Sequence, residues 1–176
     1  KGITSWIKGW QAKGWKTAAM LVNDGTSYTK FLAEYFKERY TMDDIAGEIV
    51  KELSYKAEDT DFSSQITEIK GLDPQPSMIF ASAVPFEVGT LIKQIRDAGI
   101  ALPIVGGDGY DTPSLLELAG AQAVDVYFTT HEGIYGDQSP ESKTFTDAFN
   151  TEYGKMPDSI FAALGYDGIN LLCDAI

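Results

Sequence analysis

A glycine-rich loop with an acidic centre is the first stretch of this sequence whose residue types could do chemistry. Residues 104–112 read IVGGDGYDT, an apolar run that ends in glycines before a helix is predicted to begin. Such a loop can hold a phosphate against a helix N-terminus. Here Asp108 would repel a phosphate, and Thr112 stands where the dinucleotide fingerprint has its third glycine. We therefore exclude a nucleotide loop; a tight turn in which Asp111 and Thr112 cap the next helix is the purely structural interpretation.

No other motif supplies the groups that catalysis or a metal site needs. Residues 23–26 (NDGT) are similar to part of the haloacid dehalogenase signature, but the position of its nucleophilic aspartate is occupied by Val22. The apolar run that ends at residues 82–84 (SAV) lacks the phosphate-accepting aspartate of a response regulator. His131 and Glu132 are adjacent on an extended segment and would point to opposite sides. The sequence predicts no catalytic residue, no metal ligand and no cofactor.

The composition indicates an ordinary globular chain and excludes several classes of partner. Its 176 residues fit the size of one domain. The net charge of −12, without a cluster of Lys and Arg, argues against nucleic acid and anionic membrane surfaces. One cysteine and one histidine exclude an internal disulfide and leave little for a multi-histidine zinc site. No leader-like segment opens the sequence, which leaves the compartment open because a mature exported protein also lacks one.

The elements that must position these loops alternate along the chain. Apolar runs predict strands at residues 17–23, 46–55, 77–83, 102–105 and 125–130. One-sided apolar spacing predicts helices at residues 27–40, 61–70 and 85–99, one that begins at Thr112-Pro113, and a final pair at 140–153 and 159–176. The predicted fold class is therefore α/β, a doubly wound parallel sheet with helices on both faces. Because ligands of such sheets gather at the carboxyl ends of the strands, the loops 23–28, 83–87 and 106–112 are the predicted binding loops.

Two groups of apolar side chains are predicted to pack in the core rather than to bind a ligand. Trp6 and Trp10 are four residues apart, as on one face of a helix. Cys173 lies in the apolar stripe of the last predicted helix and is expected to be a small core residue.

Four stretches in this order and spacing carry a resemblance to a known family. They are residues 16–36 (KTAAMLVNDGTSYTKFLAEYF), 58–100 (EDTDFSSQITEIKGLDPQPSMIFASAVPFEVGTLIKQIRDAGI), 103–120 (PIVGGDGYDTPSLLELAG) and 144–176 (TFTDAFNTEYGKMPDSIFAALGYDGINLLCDAI). Together they resemble the type I periplasmic binding proteins, and within them the branched-chain amino-acid (Leu/Ile/Val-type) receptors of ABC transporters. The resemblance covers nearly the whole chain, and the ordered series is more specific than any one motif.

The resemblance implies an architecture, a function and a location. Members have two doubly wound lobes joined by hinge strands, with the ligand closed between them. Residues 1–131 would be the ligand-binding C-terminal lobe, and residues 132–176 a helix pair after the hinge that packs with an N-terminal lobe expected upstream. The implied function is that of a non-enzymatic receptor that delivers an amino acid to the permease subunits of an ABC transporter. The implied location is periplasmic or extracytoplasmic, soluble or lipid-anchored, in a bacterium.

The resemblance also implies which residues contact the ligand. Tyr28 matches an aromatic that covers the apolar part or the ammonium of the ligand. The second loop of the family often reads small–aromatic–Pro, and this chain departs from that pattern at Val84, before Pro85. Asp108 matches an acidic residue that pairs with the α-ammonium group. The predicted ligand-binding residues are Ser27, Tyr28, Val84, Pro85 and Asp108, and the ligand's carboxylate would be held by the other lobe.

Two other functions remain open on the sequence. The same lobe could be the extracytoplasmic ligand-binding domain of a sensory receptor, since its chemistry would be identical. A small α/β enzyme is the third hypothesis, but the sequence shows no nucleophile–base pair that would support it. The sequences that flank this chain would distinguish transport from sensing.

Overall fold

The computed structural model of the 176-residue chain describes residue 9, residues 12–134 and residues 138–176. The packing expected for Trp6 and Trp10 lies outside these residues. Two compact units are present: the first comprises the described residues up to Tyr110 together with Ser114–Thr129, and the second comprises Asp111–Pro113 and the described residues from Thr130 onward. Within that part of the chain, no helix has both the length and the apolar character of a membrane span.

The first unit is built on a five-stranded sheet whose neighbouring strands are all parallel. The strands are β1 (Thr17–Asn23), β2 (Glu48–Tyr55), β3 (Met78–Ser82), β4 (Ile104–Gly106) and β5 (Val126–Phe128). They lie in the order β2-β1-β3-β4-β5, so the chain first moves to one side of β1 and then to the other. The switch in strand order therefore falls between β1 and β3. The predicted doubly wound α/β sheet is confirmed.

Helices cover both faces of this sheet because successive strand residues point to opposite sides. The helices are α1 (Ser27–Thr41), α2 (Ser63–Lys70), α3 (Val88–Asp97) and α4 (Pro113–Ala119). Buried residues of α1 pack with Met20 and Phe80 on one face. Buried residues of α2, α3 and α4 pack with Leu21 and Ile79 on the other. These two apolar layers hold the strands and helices in place, and thereby the ends of the strands from which the predicted loops emerge.

Helix α1 begins at Ser27 because the preceding residue caps it. The hydroxyl oxygen of Thr26 accepts a hydrogen bond from the backbone N–H of Thr29 over 3.1 Å. This cap fixes the first turn of α1 directly after β1. Tyr28 is thereby placed at the carboxyl edge of the sheet.

The buried Tyr40 predicts how stability depends on alkaline pH. Tyr40 is fully buried, its hydroxyl donates to the carbonyl oxygen of Trp15 over 3.0 Å, and burial raises the pKa of its phenol to about 12. In the unfolded chain a tyrosine titrates at about pH 10. Because the folded state holds the proton more tightly, this contribution to stability is complete below about pH 10 and is lost as the pH rises through about 12. We expect Tyr40→Phe to reduce the fall in the free energy of unfolding across this window, measured by urea denaturation at a series of pH values.

The matched control is Tyr35→Phe in the same helix, where the side chain is 67% exposed. Removing that hydroxyl should leave the pH dependence of unfolding unchanged. If Tyr40→Phe and the parent lost stability equally between pH 10 and 12, the assignment to Tyr40 would be wrong.

The second unit contains a pair of helices, α5 (Pro140–Tyr153) and α6 (Phe161–Asp174). Its small apolar core is formed by Ile134, Phe145, Ile160 and Ala163. The carboxylate of Asp111 accepts hydrogen bonds from the hydroxyl of Thr130, over 2.8 Å, and from the backbone N–H of Ile160, over 3.2 Å. This carboxylate therefore ties the start of the unit to the segment that enters α6.

The expected burial of Cys173 is wrong, because the cysteine is exposed. In α6 only Ala163 is buried, and the apolar side chains of Ile169, Leu171 and Leu172 are 62%, 73% and 57% exposed. The apolar stripe predicted from the sequence exists, but the described part of the chain covers only its N-terminal end. An apolar spacing identifies the face of a helix, and burial also needs a surface that covers that face.

Candidate functional site

The three predicted binding loops emerge at the same edge of the sheet. They follow the carboxyl ends of β1, β3 and β4, which are neighbours in the sheet. The loops after β1 and β3 flank the switch in strand order, where doubly wound sheets have a crevice. The sheet topology thus brings together residues that are 80 positions apart in the sequence.

Tyr28 and Asp108 meet at this edge. The Tyr28 hydroxyl donates to Asp108 Oδ1 over 2.5 Å and accepts a hydrogen bond from the backbone N–H of Gly109 over 3.1 Å. Asp108 is half-buried in a 3₁₀ turn (Asp108–Tyr110) directly after β4, while Tyr28 is 40% exposed. Burial and, second, the hydrogen bond to Asp108 raise the pKa of the Tyr28 phenol above its usual value, so the hydroxyl stays protonated and donates a hydrogen bond to the Asp108 carboxylate.

The glycines of this loop allow a close approach of backbone to backbone. A Cβ atom on Gly109 would lie 2.6 Å from the carbonyl oxygen of Ala83, in the loop after β3. A Cβ on Gly107 would lie 2.5 Å from Leu32 Cδ2 and 2.9 Å from the Tyr28 hydroxyl. The absence of side chains here lets the loop after β4 lie against α1 and the loop after β3.

The other predicted ligand residues lie on the same edge in different environments. Ser27 is exposed as the first residue of α1. Val84 is only 8% exposed, and Pro85 is half-buried with its carbonyl oxygen accepting a hydrogen bond from Ser114 Oγ over 2.6 Å. The adjacent Phe86 is 69% exposed, so it presents most of the accessible apolar surface of this loop. Ligand contacts of all five predicted residues, Tyr28 and Asp108 included, stay a prediction.

Glu87 lies in the loop after β3, at the same edge of the sheet, and the sequence did not predict its role there. Its side chain is 4% exposed, and its carboxylate accepts hydrogen bonds from the Asn23 amide, the Tyr55 hydroxyl and the Val84 backbone N–H. Burial and, second, the hydrogen bond to Glu87 raise the pKa of Tyr55 above its usual value. The one signal in the sequence was a carboxylate inside an apolar segment that directly follows a strand. The helix predicted at residues 85–99 would place this carboxylate in its first turn.

The predicted start of the helix after β3 is corrected by the same contacts. The sequence pattern put Pro85 at the first helical position, whereas α3 begins at Val88. The N–H of Val84 is bound to the Glu87 carboxylate, and the N–H of Glu87 is bound to the Val84 carbonyl oxygen over 3.2 Å. These bonds form a turn before the helix, so proline lies in that turn.

Two surface grooves elsewhere on the two units do not contain the predicted ligand residues. One of about 560 Å³ lies between α1 and β2 and is crossed by the ion pair of Lys37 with Glu52 at 2.5 Å. The other, of about 470 Å³, belongs to the second unit and includes His131 and Glu132. The first has side chains of both charge signs on an open surface, which gives a small ligand no single electrostatic preference.

The fold is a doubly wound parallel sheet, a class of domain in which ligands bind at the carboxyl ends of the strands. The chain matches the family described as periplasmic binding protein over residues 2–176, and it belongs to that family. The predicted family is thereby confirmed. Its members are solute-binding receptors rather than a class of enzymes, and membership implies an extracytoplasmic protein.

Individual relatives agree with this assignment. The chain is 24% identical over 161 residues to the leucine-, isoleucine-, valine-, threonine- and alanine-binding protein of Pseudomonas aeruginosa, covering 92% of the chain and 41% of that protein. Its fold matches the branched-chain amino acid transporter substrate binding protein LivJ of Streptococcus pneumoniae, solved with isoleucine, at a TM-score of 0.80 and 33% identity, over 91% of the chain and 44% of LivJ. It also matches an ABC-transporter solute binding protein of Rhodopseudomonas palustris, solved with 3,4-dihydroxybenzoic acid, at a TM-score of 0.73 and 28% identity, over 96% of the chain and 46% of that protein. The chain thus spans less than half the length of each of them.

Proposed function

We propose that this chain supplies the ligand-binding lobe of a solute receptor for an ABC transporter, and that its ligand is an amino acid with an apolar side chain. The observation that carries the proposal is the pair of Asp108 and Tyr28, a half-buried carboxylate held by an aromatic side chain at the carboxyl edge of the sheet. A primary ammonium group that leaves water needs an anionic acceptor of this kind.

The chemistry of the pair suits both parts of such a ligand. A carboxylate has about four acceptor positions, so Asp108 can bind an ammonium group while it accepts the Tyr28 hydroxyl. The hydrogen bonds of Tyr28 hold its ring next to the carboxylate, with 40% of the side chain accessible. An exposed aromatic face in this position can cover an aliphatic side chain or the cation itself.

The relatives include proteins of two ligand classes, and Asp108 favours one of them. Isoleucine, bound by the Streptococcus protein, has an ammonium group, whereas 3,4-dihydroxybenzoic acid, bound by the Rhodopseudomonas protein, has a carboxylate and no amine. A carboxylate placed beside Asp108 would meet a like charge in a partly desolvated site. The amino-acid class is therefore the one that we propose.

We further propose that the ligand is closed between this lobe and a second one. Residues 1–131 would form the ligand-binding lobe, and residues 132–176 the helix pair that packs with the other lobe. The exposed apolar side chains of Ile169 and Leu172, which are three residues apart on one face of α6, support this, since an exposed apolar face is often covered by a partner surface. The second lobe would hold the ligand's carboxylate, and the closed receptor, soluble or lipid-anchored, would dock on the transporter's permease subunits.

Titration calorimetry of the full-length protein with matched ligands tests the proposed ligand class. L-leucine, L-isoleucine and L-valine are expected to bind. The matched probe is 4-methylpentanoate, which has the side chain and the carboxylate of leucine but no ammonium group. We expect it to bind at least about 100-fold more weakly than L-leucine, because the Asp108 carboxylate would be left without its cation. Equal affinities, or a preference for benzoate, would show that the ligand class is wrong.

A further inference from the structure

The carboxylate of Glu87 is an unusual group for the interior of this unit. It is 4% exposed, and no Lys, Arg or His in the described part of the chain forms an ion pair with it. Burial of a carboxylate without a cation is costly unless hydrogen-bond donors surround it. Glu87 Oε1 accepts from Asn23 Nδ2 over 2.9 Å, from the Tyr55 hydroxyl over 2.7 Å and from the Val84 N–H over 2.9 Å, and Oε2 accepts from Asn23 Nδ2 over 3.0 Å. All of these partners are donors.

The donors come from the ends of three different strands. Asn23 ends β1, Tyr55 ends β2, and Val84 lies two residues after β3. Because β1 lies between β2 and β3, one side chain ties together the carboxyl ends of all three. These bonds span the switch in strand order, where ligands of doubly wound sheets bind. A buried network whose members are all satisfied holds its groups in one arrangement.

A second set of hydrogen bonds connects this network with the segment that carries Tyr28. Asn23 Oδ1 accepts the backbone N–H of Gly25 over 2.8 Å, and the Asn23 carbonyl oxygen accepts the hydroxyl of Thr29 over 2.6 Å. The carbonyl oxygen of Thr29 in turn accepts the hydroxyl of Ser82 over 2.7 Å. The turn after β1 and the first turn of α1 are therefore fixed from Asn23, whose amide group is held by Glu87.

We propose that Glu87 is a positioning residue for the ligand site, which fixes the loops after β1 and β3 and through them the direction of Tyr28 toward Asp108. The inference rests on the proposed function of this edge as the ligand site. Glu87 itself need not touch the ligand. Its role would be to keep the loops in the binding arrangement before the ligand arrives, so that no free energy of binding is spent on ordering them.

An exchange of hydrogen-bonding groups between Glu87 and Asn23 tests the proposal. In Glu87→Gln, an amide N–H₂ group replaces one carboxylate oxygen. Whichever way the amide is oriented, this N–H₂ group faces another donor and one hydrogen bond is lost. The double variant Glu87→Gln/Asn23→Asp restores the match, because the new aspartate accepts from the glutamine and still accepts from Gly25. On the full-length protein at a temperature well below unfolding, we expect Glu87→Gln to weaken L-isoleucine binding by about 10-fold and the double variant to return to within about 3-fold of the parent.

A matched control separates positioning from general loss of stability. Tyr40→Phe also removes a buried hydrogen bond, but at the opposite edge of the sheet, where the hydroxyl bonds to the Trp15 carbonyl. This variant should lose stability and keep the affinity of the parent. If Glu87→Gln lost stability to the same degree and bound L-isoleucine as the parent does, the positioning role would be refuted.

Amide hydrogen exchange provides a readout that does not depend on the identity of the ligand. Glu87→Gln should increase exchange at Gly25, Val84 and Thr29 by about 10-fold or more, whereas Tyr40→Phe should not. If the parent failed to bind any amino acid while this exchange pattern appeared, the proposed function would be wrong and the fixing of the loops would stand. Unchanged exchange at these amides in Glu87→Gln would overturn the inference outright.

Discussion

Asp108→Asn is expected to weaken the binding of L-isoleucine by about 100-fold or more, because removing one partner of a close, partly desolvated charge pair costs roughly 2–5 kcal/mol. The substitution keeps the shape of the side chain and an oxygen that can accept the Tyr28 hydroxyl at the position now 2.5 Å away. It removes the negative charge that the ligand's ammonium group needs. Calorimetry on the full-length protein measures the change directly.

Two controls show whether the effect comes from the ammonium contact. Asp24→Asn removes a negative charge from an exposed position in the loop after β1, and it should change the affinity by less than about 3-fold because water and salt screen that charge. The deaminated analogue of leucine, 4-methylpentanoate, should bind Asp108→Asn at least as well as it binds the parent, since a like charge has been removed. If Asp108→Asn retained the parent's affinity for L-isoleucine, Asp108 would not be the ammonium partner.

The order of the elements could be predicted from the sequence because each long element buries a complete apolar face. The predicted bounds of β1 are the observed ones, and its residues after Thr17 are all buried. The observed bounds of other elements differ from the predicted ones where side-chain hydrogen bonds or backbone dihedral angles prevent the predicted conformation. The second strand begins at Glu48 rather than at Ala46, which has a positive φ of 51° that an extended strand cannot contain.

For the candidate site, the sequence predicted which loops lie together at one edge of the sheet, and it did not predict the contacts within and behind them. The rule that ligands gather at the carboxyl ends of parallel strands selected the loops that carry Tyr28 and Asp108, and these two residues are in hydrogen-bond contact. The role of Glu87 depends on Asn23 and Tyr55, which are 64 and 32 positions away. Spacing along the chain carries no information about such partners, so the sequence does not distinguish this carboxylate from an ordinary residue at the start of a helix.

Gly109→Ala is expected to damage the site by separating two loops. The added methyl group would lie 2.6 Å from the carbonyl oxygen of Ala83, and because the backbone fixes the position of a Cβ atom as well as that of a carbonyl oxygen, neither can rotate away. The loop after β4 must then move from the loop after β3, and the bond of 3.1 Å from the Gly109 N–H to the Tyr28 hydroxyl must lengthen. We expect the free energy of unfolding to fall by about 1–3 kcal/mol, measured by urea denaturation.

Ligand binding should suffer more than stability from this methyl group, because Asp108 lies on the displaced loop directly before Gly109 and its position relative to Tyr28 would change. We expect the affinity for L-isoleucine to fall at least about 10-fold at a temperature where the variant is fully folded. Gly168→Ala in α6 is the matched control: apart from the adjacent residues and the helix's own backbone, no atom of the described residues lies within 4 Å of the added carbon, and alanine favours a helix over glycine by about 1 kcal/mol. It should be neutral or stabilising. A Gly109→Ala variant with the stability and affinity of the parent would mean that the close approach of these loops is not what holds Asp108 and Tyr28 together.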